Sequence, residues 1–245
     1  MNVRFLSLAN RNMKEIYRDP ISIVLGVAMP ATLLVLFVSI SKNAPIEIFT
    51  VQVLTPGIIV FSFSFLTMFS AILLSKDRQS AFLTRLLVSP LRPADFILAY
   101  SLPFIPIALM QIIICYTVAI FLGITLDLGI LLLSLIVLIP IALACIGIGM
   151  ILGSLLTENQ VAGAGSIVII ASSLFGGAWM DLNMIGGVFK NIGYALPFAH
   201  AIDATRAIYK GAGLSSIVGN MYWIIGYAIL FLILGIFSFK WKTRR

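Results

Sequence analysis

Charge is scarce in this sequence. Its 245 residues include 16 lysines and arginines, nine acids and one histidine, so 10% of the chain is charged, where a soluble domain carries about a quarter. With 61% hydrophobic residues and a mean hydropathy of +1.12, a water-soluble fold is excluded and an integral membrane protein is indicated. No polar block is long enough for a second, soluble domain, so residues 1–245 read as a single membrane domain. Cys115 and Cys145 lie inside apolar runs and behave as small hydrophobes, which argues against a disulfide or metal framework. The one histidine and scattered acids do not supply the interfacial cluster that a membrane-embedded lipid enzyme needs. There is no GxxxxGK[ST] loop to cradle nucleotide phosphates, and no G-x-S-x-G, H-E-x-x-H or EF-hand pattern. No catalytic residue and no metal site is therefore expected. Acids are nearly absent from the centres of the apolar runs, which removes the usual carriers of an ion-coupled transporter. The net charge of +7 does not point to nucleic acid, because the basic residues flank apolar runs instead of forming one polar surface. No cleavable signal is expected either, since the run Ile21 to Ile40 is too long for one.

What the chain does have is length of apolar sequence. A membrane helix needs about 20 apolar residues, and six segments qualify, at roughly 21–41, 51–75, 97–122, 128–156, 160–180 and 221–239. The fourth is long enough to tilt or to bend at Pro140. With the N-terminus inside, 12 of the lysines and arginines fall on inside segments and four outside, which fits the positive-inside rule and places both termini in the cytoplasm.

The first twenty residues form an amphipathic helix. Phe5, Leu6, Ala9, Met13, Ile16 and Tyr17 fall in an arc of roughly 120°, with Arg4, Arg11, Lys14 and Arg18 in the next. Such a helix lies in the headgroup plane against anionic lipid, or serves only as a charge cluster that sets topology. Asp19-Pro20 closes it and starts the first span. The stretch SKDRQSAFLTRLLVSPLRPADF, at 75–96, repeats the geometry on the same side of the membrane. Phe82, Leu83, Leu86 and Leu87 make an apolar stripe beside a ridge of Arg78 and Arg85, and Ser89-Pro90 ends the helix. A preformed helix of this kind suits a protein groove; a second interfacial helix without a partner has the same pattern.

Between the fifth and sixth runs, residues 181–215 contain two apolar pieces too short to cross, broken at Pro197, as in a re-entrant hairpin. His200, Asp203 and Arg206 share one helix face there. They read either as a proton relay or as an Asp203–Arg206 pair beside a polar histidine. Phe61, Phe65 and Phe69 form an aromatic stripe on the second run, with Ser64 and Thr67 on other faces. Ser172, Ser173 and Phe175 give texture to the fifth. These residues, like Gly149-x-x-x-Gly153, serve either close helix packing or a pathway wall. Glu158 reads as a cap for the fifth run.

Three stretches resemble the membrane subunits of ABC-2-type exporters: the start ending YRDP, the loop LLVSPLRPADFILA, and LPFAHAIDATRAIYKG before the last run. Ser89 stands where the family usually has threonine. Pro197, Arg206 and Gly211 resemble its proline-to-arginine-to-glycine signature. The resemblance spans essentially the whole chain. It implies an all-α membrane fold with six spans, a connecting helix at 1–20, and a coupling helix within 76–93 carrying Arg78, Phe82, Leu83, Arg85, Leu86, Leu87 and Pro90. It further implies an outer re-entrant segment with Pro197, His200, Asp203 and Arg206. Two permease copies would face each other across spans two and five, in a bacterial or archaeal plasma membrane. Two copies of a separate ABC ATPase would carry the ATP and magnesium, and no cofactor would sit on this chain. The substrate class implied is amphipathic (drug, antibiotic, peptide or lipid-like), or else a lipid-linked glycan; a stand-alone secondary transporter is the rival reading.

Overall fold

The computed structural model describes residues 2–43, 49–82 and 92–243. Every regular element among them is helical: α1 (Asn2–Tyr17), α2 (Pro20–Asn43), α3 (Val51–Arg78), α4 (Pro93–Ser101), α5 (Phe104–Phe121), α6 (Leu128–Leu155), α7 (Glu158–Phe175), α8 (Leu182–Ile185), α9 (Gly187–Tyr194), α10 (Pro197–Tyr209) and α11 (Leu214–Thr243). Among the described residues, five segments are long and apolar enough to cross a membrane: α2, α3, α4 with α5, α6 and α11. The fifth expected span corresponds to α7, which has 18 residues and opens on the polar turn Glu158-Asn159-Gln160. The last span starts earlier than its apolar run, at Leu214.

The helix boundaries follow from local chemistry. Asp19 accepts hydrogen bonds from the Ser22 backbone N–H and hydroxyl, with Pro20 at the first helical position of α2. Asp95 accepts from the Arg92 N–H at the start of α4. At α7 the cap is not Glu158: Gln160 Oε1 accepts from the Thr157 N–H at 3.1 Å, and Glu158 sits in the first turn, where the helix dipole favours an acid.

Helix α3 is the axis of the molecule. In its most apolar stretch 78% is buried, against 28% in α2 and 22% in α11, so α3 is enclosed by protein while the outer helices keep a broad face for lipid. It packs on α2, α5, α6, α7 and α10. Its contact with α6 has no side chain between the backbones at Gly149 and Gly153. A Cβ on Gly149 would lie 2.5 Å from the Thr67 carbonyl oxygen, and one on Gly153 would lie 2.7 Å from that of Ala71. The Gly149-x-x-x-Gly153 pair is thus a packing device.

Two buried amides repair carbonyls that prolines leave bare. Pro30, inside α2, has no N–H for the carbonyl of Gly26. Gln111 of α5 donates Nε2 to that oxygen at 2.8 Å and to the Ser62 carbonyl of α3 at 3.0 Å. Pro103 likewise deprives the Ala99 carbonyl, where the chain turns between α4 and α5, and Asn12 of α1 donates Nδ2 to it at 3.2 Å. The third span, expected as one run, is interrupted at this turn. Gln111→Met keeps the volume but orphans the Gly26 oxygen. We expect a loss of about 1–2 kcal/mol, read as a thermal midpoint a few degrees lower in detergent solution. An unchanged midpoint would mean that the amide contributes nothing.

Candidate functional site

Two polar clusters lie at opposite ends of the bundle. At one end α1, the end of α3 and α4 converge. Asp77 is almost fully buried and receives both Arg11 Nη1 and Arg11 Nη2, the latter at 3.1 Å, together with the Tyr100 hydroxyl at 2.7 Å. Lys76 pairs with Glu15 at 3.3 Å, and the Arg11 guanidinium lies 4.4 Å from the centre of the Phe82 ring. Burial acts against the Arg11 charge, but the hydrogen bond and field of Asp77 outweigh it and raise the guanidinium above its ordinary value. Arg78 turns the other way and donates Nε to the Gly153 carbonyl at 3.2 Å and Nη2 to that of Leu156 at 2.6 Å. These oxygens belong to the unpartnered C-terminal end of α6. Phe239, near the end of α11, stacks on Phe96 at 5.3 Å, so the C-terminal helix finishes at this same end.

The α1 surface differs from its expected apolar arc. Leu8, Ala9 and Asn12 are buried against the bundle, whereas Leu6 and Tyr17 are exposed. Tertiary packing on α4 selects the face, and polar Asn12 belongs to it because of Pro103.

Of the expected coupling residues, Arg78 and half-buried Phe82 are described, one bound to α6 and the other to Arg11. Leu83, Arg85, Leu86, Leu87 and Pro90 lie outside the described residues.

The candidate wall residues on α3 face other helices. The hydroxyls of Ser64 and Ser172 share a hydrogen bond between α3 and α7, and Thr67 donates to the Cys145 carbonyl of α6 at 2.8 Å. Phe61 packs edge-on to Phe65 at 5.7 Å and to Trp179 at 5.4 Å, and Phe65 lies 6.2 Å from half-buried Phe69. Trp179 donates to the Ser173 hydroxyl, and Phe175 rests on Phe189. The exposed face of α7 carries Ala162, Gly163, Ser166, Ile167, Ile170 and Leu174 instead.

At the opposite end, α9 and α10 meet at Ala195–Leu196, with Pro197 opening α10. The trio on α10 is brought to three separate partners. His200 Nε2 donates to the Tyr194 carbonyl at 3.0 Å, and Nδ1 pairs with the Asn220 amide at 2.9 Å, while the ring stacks on Trp223. Asp203 accepts from the Tyr194 hydroxyl. Burial, then the hydrogen bond from Tyr194 to Asp203, push that phenol up to about 12, so it stays a donor throughout the physiological range. Arg206 donates Nε to the Val53 carbonyl at 2.9 Å and Nη2 to that of Gly177 at 3.0 Å, fastening α10 to the start of α3 and the turn after α7. The Asp203–Arg206 ion pair is not formed, since each group is engaged elsewhere, and His200 is buried instead of facing water. This geometry is a clamp: the three side chains are hydrogen-bonded to other elements and not to one another. No group of three or more potential metal ligands occurs among the described residues.

Sequence reasoning missed Asp77, Asn12, Gln111 and Tyr100. Gln111 was visible as a lone polar residue in an apolar run, and Gln111 and Asn12 each answer a proline elsewhere in the chain.

Comparison with known proteins gives a family match and similar proteins named as transport permeases. Residues 3–209 match the ABC-2 type transporter family. The chain is 32% identical over 123 residues to the transport permease ycf38 of Pyropia yezoensis, a match covering 48% of this chain and 42% of that protein. It is 34% identical over 125 residues to the ycf38 permease of Cyanophora paradoxa, covering 49% and 43%. Less than half the length of these relatives is spanned by the match.

Proposed function

The chain belongs to the ABC-2 type transporter family, and on that premise we propose that it is the permease subunit of an ATP-driven exporter whose ATPase is a separate chain. The observation that carries the proposal is the platform at the basic end. There α1, the last turn of α3, α4 and the end of α11 are fastened together by Arg11–Asp77–Tyr100, Lys76–Glu15 and Phe96–Phe239. The expected coupling residues Leu83, Arg85, Leu86 and Leu87 follow that platform directly in the sequence. An ATPase groove filled by Phe82, Leu83, Leu86 and Leu87 would therefore act on a braced surface. Since this sequence has no phosphate-cradling loop, ATP and magnesium would bind on the partner.

In this reading the basic end, both termini included, faces the cytoplasm. Helix α7 serves as a sixth span: 18 residues reach about 27 Å at 1.5 Å per residue, close to the ~30 Å of a hydrocarbon core. Helices α8, α9 and α10 have 4, 8 and 13 residues, too few to cross. They would form the outer re-entrant cap, held by Arg206. A second permease copy would meet the exposed small-residue face of α7, and the substrate moved outward between the copies would be amphipathic. The inward hydroxyls of Ser64, Thr67 and Ser172 then shape the helix pack behind that wall instead of touching cargo directly.

Co-expression with the cognate ATPase subunit tests this reading. The parent pair should co-purify and hydrolyse ATP, while the permease alone should do neither. Leu86→Asp places a carboxylate in an apolar contact worth on the order of 1.5–3 kcal/mol per large side chain before the cost of the charge. It should abolish co-purification at unchanged membrane expression, and normal assembly of this variant would remove the docking role.

A further inference from the structure

A cleft of about 420 Å³ opens where α1 turns into α2, opposite the last two turns of α3 and the start of α5. That volume lies in the range of small-ligand sites. Its composition is split by depth. The rim carries Glu15, Arg18, Asp19 and Lys76, and the inner wall is formed by Ile72, Phe69, Phe104 and Ile107. From Lys76 to Phe69 is two turns of α3, or about 10 Å along the axis, so a polar mouth and an apolar interior follow one another across the depth of a leaflet interface.

The rim charges are not equivalent. Glu15 is held by Lys76 and by Arg11, and Asp19 is held by Ser22. The Arg18 guanidinium has no hydrogen bond or ion pair among the described residues, although it sits above an apolar slot at the mouth. Guanidinium recognises phosphate through charge-assisted, often bidentate hydrogen bonds, and Lys76, with more than half its side chain exposed, can turn a second cation to the same point. We propose that this cleft binds one phospholipid, its phosphate diester at Arg18 and Lys76 and the upper part of an acyl chain along Ile72, Phe69, Phe104 and Ile107. The exposed apolar residues Tyr17 and Ile21, on either side of the corner, extend the lipid-facing surface around the mouth. The bound lipid would fill the gap that α1 leaves beneath its C-terminal turn and hold α1 against α3.

The proposal takes from the proposed function only that α1 lies along the membrane surface. Its measurement involves no ATPase and no transport, so either reading can fail while the other stands. The full chain in detergent is mixed with phosphatidylglycerol, phosphatidylethanolamine or diacylglycerol of the same acyl composition, and retained lipid is counted by native mass spectrometry. One phospholipid per chain should be retained, and diacylglycerol should not. Equal retention of the two phospholipids assigns recognition to the shared phosphate; retention of phosphatidylglycerol alone assigns it to net negative charge at that phosphate. Arg18→Gln removes the unpartnered cation and Ile72→Trp fills the slot. Each should lower retention roughly ten-fold, the equivalent of one charge-assisted contact, with the thermal midpoint checking that each variant is folded. Lys14→Gln removes an exposed cation of the same helix away from the cleft and should retain lipid like the parent. The proposal falls if diacylglycerol is held as tightly, if Lys14→Gln loses as much as Arg18→Gln, or if either cleft variant keeps its lipid.

Discussion

Asp77→Ala should lower the thermal midpoint of the purified protein by roughly 6–12 °C. The carboxylate has a side chain only 6% exposed and accepts both arms of Arg11 as well as the Tyr100 hydroxyl. Its removal leaves the buried Tyr100 hydroxyl without an acceptor and the Arg11 guanidinium with only the Asn12 amide oxygen and the longer Glu15 contact. Breaking a buried pair from one side costs on the order of 3–5 kcal/mol. Because a third of the Arg11 side chain is exposed, water recovers part of that, and about 3 kcal/mol is the working figure. For a chain of this size each kcal/mol moves the midpoint by about 2–4 °C. The loss should be local as well as global, with faster proteolysis within α1, which is fastened at this point. A double variant with Arg11→Met should lose less than the sum of the single variants, because the stranded cation is gone. A wild-type midpoint for Asp77→Ala would show that the Asp77 cluster contributes nothing to holding α1.

The second large effect is expected at the backbone contact between α3 and α6. A Cβ at Gly149 would meet the Ser70 hydroxyl at 2.0 Å and the Thr67 carbonyl oxygen at 2.5 Å. The hydroxyl can rotate, but the carbonyl cannot move without its helix. Gly149→Ala should therefore cost about 1–3 kcal/mol as an overpacked site, and Gly149→Ile should abolish monodisperse protein on size exclusion. Gly226, on an exposed side of α11, is the internal comparison. Nothing lies within 4 Å of a Cβ there, so Gly226→Ala should be neutral or stabilise by up to about 1 kcal/mol through helix propensity. If the two alanine variants behave alike, close packing is not what selects glycine at Gly149.

The gross architecture was legible because a bilayer sets a simple length requirement. Apolar runs of the right size became α2, α3, α6 and α11, and the Asp19-Pro20 boundary began a helix where its chemistry dictates. The interruption between α4 and α5 was less legible. An apolar window averages over Pro103, although the same proline was the signal that could have located the turn. Side-chain destinations were least legible. His200, Asp203 and Arg206 share a face at three-residue spacing, which suggested a mutual interaction; their partners came from α9, α11 and the backbone of α3 and the turn after α7. Asp77 looked like one charge among several in a polar loop, because its partner is 66 residues away. Helical periodicity reports which residues look in one direction and is silent about what stands there. For Gln111 a different signal was available: a lone amide inside an apolar run, together with a distant proline, indicates a carbonyl in need of a donor.

Asp77 and Arg78 are consecutive residues that grip different helices: the first holds α1 and α4, the second the end of α6. In mechanical terms the last turn of α3 is a yoke. A load entering through the peptide chain just beyond it would not bend a single rod, because two stiff polar links share the strain before it reaches the midpoint of α3. Severing one link while leaving the other should convert a push into a torque: without Asp77 the end of α3 stays tied to α6 and swings about it, and without Arg78 it swings about α1. Displacements measured between spin labels on α1, α3 and α6 in the two single variants should therefore turn in opposite senses.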